Sequence, residues 1–449
     1  MDRQKKKRQW TSSQIIIAGF AALILTGTVL LMLPVSSADM QWTSFTDALF
    51  TATSASCVTG LIVHDTATYW SAFGQTVIIC LIQIGGMGVV TMAIAIAMLS
   101  GKKISLSQRQ LMQDSISAQQ VGGIVRMTGF ILKTSLAIEL CGAALLSLQF
   151  IPEFGFFKGI LYSLFHSVSA FCNAGFDLMG AKSRFSSLTD YAGNGIVVIT
   201  ISALILIGGI GFAVWEDVKL HRFDFHRYRL QSKVALTASA VLVVLPFIYF
   251  FFVEFSRPQW QNLKTGDRIL AAFFRAVTPR TAGFNTVDMT LFSESTILIT
   301  IVLMLIGGCP GSTAGGMKTT TVAVLLITMV SVFRRESSPE CYGRRIGDDT
   351  IKNAATILMM YITLFVAGSV VISITEGLPL LVSMFETASA VGTVGLTLGI
   401  TPTLGTMSKM ILAALMYLGR VGGLTIIFAT VKTLQNGSAR YPLEKITVG

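Results

Sequence analysis

The sequence predicts an all-α integral membrane protein, built from four fused helix–pore-helix–loop–helix repeats around one pseudo-fourfold axis. Three observations predict it. The 449 residues are 52% hydrophobic and 13% charged, with a mean hydropathy of +0.69; a soluble globular chain carries about 25% charged residues. Long apolar runs recur along the whole length. Finally, four stretches, FTATSASCVTGL, FHSVSAFCNAGF, FRAVTPRTAGF and FETASAVGTVGL, each lie between two such runs and close on one glycine. These glycines, Gly60, Gly175, Gly283 and Gly395, are spaced by 115, 108 and 112 residues. A fixed period of this kind outranks other sequence signals and makes the chain four quasi-equivalent walls of one structure.

The apolar runs justify eight membrane helices, at 14–33, 73–99, 127–150, 194–215, 234–254, 296–333, 351–375 and 407–431. Each is about 20 residues or longer, enough to cross a hydrocarbon core of about 30 Å. The first follows MDRQKKKR and is longer than the apolar core of a secretory leader, so it is expected to be retained. Between the members of each pair lies a shorter segment, at 45–56, 158–171, 268–279 and 379–391. A helix of about 12 residues is about 18 Å long and cannot span. It can enter and turn back where protein or water walls it. The repeats are placed at 1–101, 102–216, 217–345 and 346–449, with no separate soluble domain.

Positive charge is concentrated in Arg3 to Arg8, Lys102 to Arg109, Lys219 to Lys233, Arg334 to Arg345 and the tail from Lys432. The net charge of +11 therefore follows the positive-inside pattern of a multi-pass cell-membrane protein with both termini cytoplasmic, and no nucleic-acid partner is expected. Membrane lipid is the expected contact, and anionic headgroups suit the same clusters. Six cysteines show neither CxxC spacing nor a histidine pattern, so free thiols and no bound metal are expected.

The glycine loops suggest a cation pathway. A permeating cation sheds water, and backbone carbonyls converging on one axis replace it. Such backbone needs angles that glycine accepts. The segments Val58-Thr59-Gly60, Asn173-Ala174-Gly175, Thr281-Ala282-Gly283 and Thr393-Val394-Gly395 are the candidate filter, with small residues that let four backbones approach. Each short helix turns its negative carboxyl end toward this point. Ser54, Ser169, Thr278 and Ser389 recur just before the loops as hydrogen-bonding anchors. Small residues also mark plain helix packing, but four copies behind the lead-in F-x-x-x-[ST]-[AP] argue against packing alone. The third copy is one residue shorter between Phe274 and Gly283.

The run GGCPGSTAGGMKTT, 307–320, interrupts the sixth span. Gly307, Gly308, Pro310, Gly311, Gly315 and Gly316 make a continuous helix improbable. A nucleotide loop fails because Met317 separates Gly316 from Lys318. A GxxxG packing face and a mobile intramembrane loop, with Ser312 and Thr313 at its centre, are the readings left open. Arg420 lies about 13 residues into the last span, roughly 20 Å from its outer end. It reads as a positive barrier on the inner pore, against a structural arginine bound to carbonyls. Lys318 serves the loop or marks a helix end. Arg280 is expected to pair with Glu386 or Asp47 behind the loops. Lys133 and Glu139 read as scaffold contacts, and Asp65, Asp177 and Asp288 as solvated outer acids. His64, His166, His221 and His226 form no HExxH pattern, and no nucleophile elbow appears, so an intramembrane enzyme is a weak alternative. A secondary cation transporter of another class is the other alternative.

The four loops, the 307–320 run and GRVGGLT at 419–425 together resemble the Trk, Ktr and HKT superfamily of potassium transporters, specifically the bacterial Ktr membrane subunit. The resemblance covers nearly the whole chain. It implies a fold like four fused potassium-channel subunits, with Gly60, Gly175, Gly283 and Gly395 as filter glycines. It implies a gate formed by Gly307 to Lys318 together with Arg420. It further implies potassium as the transported ion, sodium as an activator, no cofactor in this chain, a homodimer, and a cytosolic ring of nucleotide-binding regulatory subunits of the RCK/KTN type. The second glycine of the potassium-channel signature is absent; Leu61, Phe176, Phe284 and Leu396 follow directly.

Overall fold

A computed structural model describes residues 10–99, 105–115, 124–222, 224–423 and 425. The first repeat boundary, the Arg3 to Arg8 cluster and the tail from Lys432 lie outside the described residues. Each repeat consists of a leading helix, a short helix, an extended return segment and a trailing helix.

The leading helices are Ser12–Met32, Ile124–Phe154, Leu230–Glu254 and Asp348–Glu376, each long and apolar enough to cross a membrane. They form because apolar side chains run all round them rather than along one stripe. Only 28, 28, 17 and 28% of their apolar windows are buried, so most of each surface is left for lipid. Side chains such as Leu25, Leu148, Leu245 and Ile374 stand exposed on these faces. The first helix starts on a capping box: Gln14 N donates to Thr11 Oγ1 and Thr11 N to Gln14 Oε1. In the third, Pro246 removes a backbone donor and the last turn widens into a π-turn, Phe250–Glu254.

The short helices are Phe45–Ser56, Phe156–Phe171, Thr265–Val277 and Leu380–Gly392, close to the four segments expected. Their lead-in phenylalanines, Phe50, Phe165, Phe274 and Phe385, are all buried. Each phenylalanine lies in the middle or C-terminal half of its helix, and the helix beyond it is buried to its end.

The first two trailing helices depart from the expectation of straight spans, and the third is broken where the 307–320 run lies. Residues 73–99 form two helices, Ala72–Met87 and Val89–Met98, bent by 96°. Residues 194–215 form Gly195–Gly209 and Phe212–His221, bent by 93°. Gly88 and Gly211 sit at the two bends with φ of 87° and 98°. The third trailing helix is two separate pieces, Glu294–Leu305 and Thr319–Phe333. The fourth, Thr406–Val421, ends at Gly422, whose φ is 88°. All four breaks therefore fall within three residues of Gly85, Gly208, Gly307 and Gly419.

Candidate functional site

The four loop glycines meet. A β-carbon at Gly60 would lie 2.5 Å from the Ala174 carbonyl oxygen, one at Gly175 2.7 Å from that of Ala282, and one at Gly283 2.5 Å from that of Val394. One at Gly395 would run into the Thr59 carbonyl, which closes the ring. Each glycine thus abuts the residue just before the next glycine, through all four repeats and back to the first. Their φ angles are 92°, 70°, 81° and 93°, a region closed to most side chains. Two residues earlier, Val58, Asn173, Thr281 and Thr393 also have positive φ, between 51° and 63°. A non-glycine residue there costs on the order of 1–3 kcal/mol. Three of the four are β-branched, so the surrounding structure holds this conformation against local preference.

The hydroxyl anchors do that holding. Gly60 N donates to Ser54 Oγ (3.1 Å) and Gly395 N to Ser389 Oγ (3.0 Å). In the second and third repeats the hydroxyl donates instead, Ser169 Oγ to Phe176 O (2.7 Å) and Thr278 Oγ1 to Phe284 O (2.5 Å). Backbone bonds reinforce them: Thr59 N to Ser54 O, Ala174 N to Ser169 O and Val394 N to Ser389 O, each 2.8 Å. The shorter third copy keeps its register by bonding Ala282 N to Thr278 O, four residues back rather than five (3.0 Å). Thr281-Ala282-Gly283 therefore aligns with the other three segments.

Residues 307–318 are not helical and lie directly against this ring. Gly307 N donates to Met317 O (2.7 Å) and Thr319 N to Gly308 O (3.0 Å), which closes the loop at its neck. Cys309 N and Thr313 N donate to Gly209 O and Gly208 O, and Phe212 N donates to Gly311 O, so the loop fills the bend of the second trailing helix. Thr313 Oγ1 donates to Phe171 O (3.0 Å) and to Asn173 Oδ1 (3.1 Å), touching the second loop segment. On the other side, β-carbons at Gly315 and Gly316 would strike Thr393 and Gly392 in the fourth repeat. The loop therefore bridges from the second to the fourth repeat beneath the ring. A cavity of about 240 Å³ adjoins it, lined by Phe20, Gly86, Ser312, Lys318, Tyr361 and Arg420 among others.

Arg420 completes the bridge. Its guanidinium donates to Thr313 O (2.5 Å) in the loop and to Gly85 O (2.5 Å) and Gly86 O (2.9 Å) in the first repeat. Among the described residues it makes no ion pair. Held by carbonyls alone, the arginine has no carboxylate to neutralise it, and it lines the cavity beside the loop. Lys318 stays within the loop, donating to Ala314 O (2.8 Å) and Gly315 O (3.5 Å). Of the remaining loop residues, Pro310 approaches Gly211 through its carbonyl, and Gly308 packs on Ala314 and Gly209.

Two expectations are corrected. Arg280 pairs with neither Glu386 nor Asp47; it donates to Ser239 Oγ (3.0 Å) and Ser239 O (3.4 Å) on the third leading helix. Glu386 is engaged by Thr397 and Thr401 hydroxyls, and Asp47 by Lys409 at 3.1 Å. Asp65 is no solvated acid. It is buried, caps Thr66–Tyr69 and accepts a bond from Phe185 N (3.0 Å). Asn173 carries more than the sequence disclosed, since its amide also donates to Arg280 O (3.3 Å). The Gly85 and Gly86 carbonyls were missed too; the repeated pairs Gly85-Gly86, Gly208-Gly209 and Gly307-Gly308, against Gly419-Arg420, were the available signal.

A family model described as TrkH, cation transport protein, matches residues 2–440. The chain belongs to that family. It is 41% identical over 456 residues to the potassium/sodium uptake protein NtpJ of Enterococcus hirae, covering 100% of this chain and 99% of the relative. It is 40% identical over 449 residues to the Ktr system potassium uptake protein B of Bacillus subtilis, again covering 100% of this chain and 99% of the relative. Among solved structures, the potassium transporter TrkH from Vibrio parahaemolyticus superposes with a TM-score of 0.73 over 96% of this chain and 87% of that one. At 18% sequence identity that likeness establishes the fold. The family is one of membrane cation transporters, not of enzymes.

Proposed function

We propose that this protein takes up potassium across the cell membrane, along the axis on which its four loop glycines meet. The carrying observation is the closed ring, in which every glycine abuts the carbonyl before the next. Four carbonyls from Thr59, Ala174, Ala282 and Val394 then stand where a dehydrated monovalent cation needs oxygen. The names of the two full-length relatives, both potassium uptake proteins, supply the ion. One of those names includes sodium, so sodium belongs in the test as substrate and as activator.

The segment Gly307 to Lys318 is the gate of this pathway, and Arg420 is its electrostatic latch. The loop crosses beneath the ring, and the arginine ties it to the first repeat. A cytosolic regulatory ring and a second copy of the chain are the partners, in keeping with the Ktr system to which a relative belongs. The exposed basic surface around Arg227, Arg334 and Arg335 is the side on which such a ring would dock. The deciding experiment is potassium uptake in cells lacking their own importers, with Gly60, Gly175, Gly283 and Gly395 changed to serine one at a time. Each change should abolish potassium preference; unchanged preference in all four would refute the ring as filter.

A further inference from the structure

The four lead-ins repeat almost residue for residue, yet the position after the buried phenylalanine does not. It reads Thr51, His166, Arg275 and Glu386. All four side chains are buried, at 2, 0, 2 and 0% exposure. A histidine, an arginine and a carboxylate without solvent are costly unless something engages them. Two of them engage the same atom of their own repeat. His166 Nε2 accepts a bond from Leu178 N (3.2 Å), the third residue after Gly175. Glu386 Oε1 accepts a bond from Leu398 N (3.3 Å), the third residue after Gly395.

The rest of each side chain is committed to that task. His166 Nδ1 donates to Tyr162 O (2.7 Å), which fixes the neutral tautomer with Nε2 as acceptor. Glu386 accepts from Thr397 on one oxygen and from Thr401 Oγ1 (3.0 Å) on the other, both in the return segment. Among the described residues Glu386 forms no ion pair. A buried carboxylate with no cation, turned wholly toward one loop, is poorly explained by packing. Arg275 reaches its own return segment farther along, at Met289 Sδ (2.9 Å), and the first repeat reverses the arrangement, with His64 of the return segment reaching Asp47 of the short helix (3.3 Å).

We infer that His166 and Glu386 are matched struts, positioning residues that hold the second and fourth filter carbonyls at a fixed height by gripping the amide three residues beyond each filter glycine. The inference rests on the ring being the ion filter. Backbone bonds from Ala174 N to Ser169 O and from Val394 N to Ser389 O grip each of these loops just before its glycine, and the struts grip it three residues beyond; the carbonyl before the glycine is held between the two grips. Discrimination between cations of different radius depends on the number and placement of such oxygens. Because the two struts serve opposite walls of the ring, they constrain it across a diameter.

The test is the ratio of rubidium to sodium uptake in cells lacking their own importers, with the amount of protein in the membrane measured in parallel. His166→Ala and Glu386→Ala should each lower that ratio about tenfold, because the buried N–H of Leu178 or Leu398 loses its acceptor and the loop relaxes. His166→Gln and Glu386→Gln keep an acceptor oxygen and should recover most of the ratio. Ser163→Ala, equally buried on the second short helix but bonded only to Gly159 O, should leave the ratio as it is. Should an alanine variant fail to reach the membrane, Thr401→Val, which removes one donor from Glu386, should shift the ratio in the same direction. Wild-type ratios in the strut variants, with Gly175→Ser and Gly395→Ser losing theirs, overturn the struts and leave the ring standing. Wild-type ratios in the glycine variants as well overturn the ring itself.

Discussion

At the scale of the residue, Arg420 stands where the other trailing helices carry glycine. It follows Gly419 as Gly86 follows Gly85, Gly209 follows Gly208 and Gly308 follows Gly307. A β-carbon at Gly85, Gly208 or Gly419 would collide with the last carbonyls of the neighbouring short helix, at Ser56, Phe171 and Val391. The first glycine of these three pairs is thus a packing necessity; the second position is tight at Gly86, against Cys172, and at Gly308, against Ala314, open at Gly209, and in the fourth repeat carries the charge. Taking about 8 Å between the guanidinium and a passing cation, the repulsion at an effective dielectric of about 20 is about 2 kcal/mol. Arg420→Ala should therefore raise rubidium flux into proteoliposomes by about tenfold or more. Flux that stays level, with less folded protein recovered, would make the arginine a structural tie only. The anchors make a second prediction. Ser54→Ala leaves the buried Gly60 N–H without its side-chain acceptor, a loss of about 1–3 kcal/mol. Purified protein should unfold several degrees lower, and its preference for potassium over sodium should narrow; an unmoved melting temperature would count against the anchor.

At the scale of the element, the broken third trailing helix was legible and the two bends were not. Pro310 and five glycines within 307–316 add penalties that no helix absorbs. Gly88 and Gly211 close the runs Gly85-Gly86-Met87-Gly88 and Gly208-Gly209-Ile210-Gly211, whose glycines cost about 1 kcal/mol apiece without a proline, which tertiary packing readily overrides. Only the recurrence of a glycine three residues after Gly85, Gly208 and Gly419 distinguishes them, and that is visible once the repeats are aligned on structure. The loop anchors were legible because Ser54, Ser169, Thr278 and Ser389 act on residues six or seven positions away. The partner of Arg280 was not, because Ser239 lies 41 residues distant on another element. The loop itself predicts its own removal. Its links to the second repeat run through Cys309, Gly311 and Thr313, and to the fourth through Gly315 and Gly316. Deleting 311–314 severs the bridge while leaving the neck bonds between Gly307 and Met317 and between Gly308 and Thr319 able to form. Cation flux should rise without loss of the filter's preference; equal flux would assign the loop to packing.

At the scale of the whole molecule, the ring has near-fourfold backbone symmetry while everything beneath it is asymmetric. One chain makes this possible: the third repeat alone carries the loop, and the fourth alone carries the arginine. The same single chain must also orient the ring, since a filter facing outward and a gate facing inward have meaning only if all four repeats insert the same way. The charges impose that. The return segments hold the mouth of the ring on one face, with Arg184 and Lys264 exposed in the connections near it. The links between repeats, with Arg227, Arg334 and Arg335 exposed, lie on the opposite face, where the basic residues cluster. Cysteines placed at 184 and 264 should react with an impermeant thiol reagent on intact cells, above the background of the native protein, and those placed at 227 and 335 only after permeabilisation. Native thiols interfere little once Cys341, half-buried in the link beside Arg335, is replaced by serine, because Cys57, Cys172 and Cys309 are buried and Cys80 and Cys141 lie within apolar helices. The reverse labelling would put the loop and Arg420 at the outer entrance. A cytosolic ring would then have no gate to act upon, and uptake would have to be controlled at the filter instead.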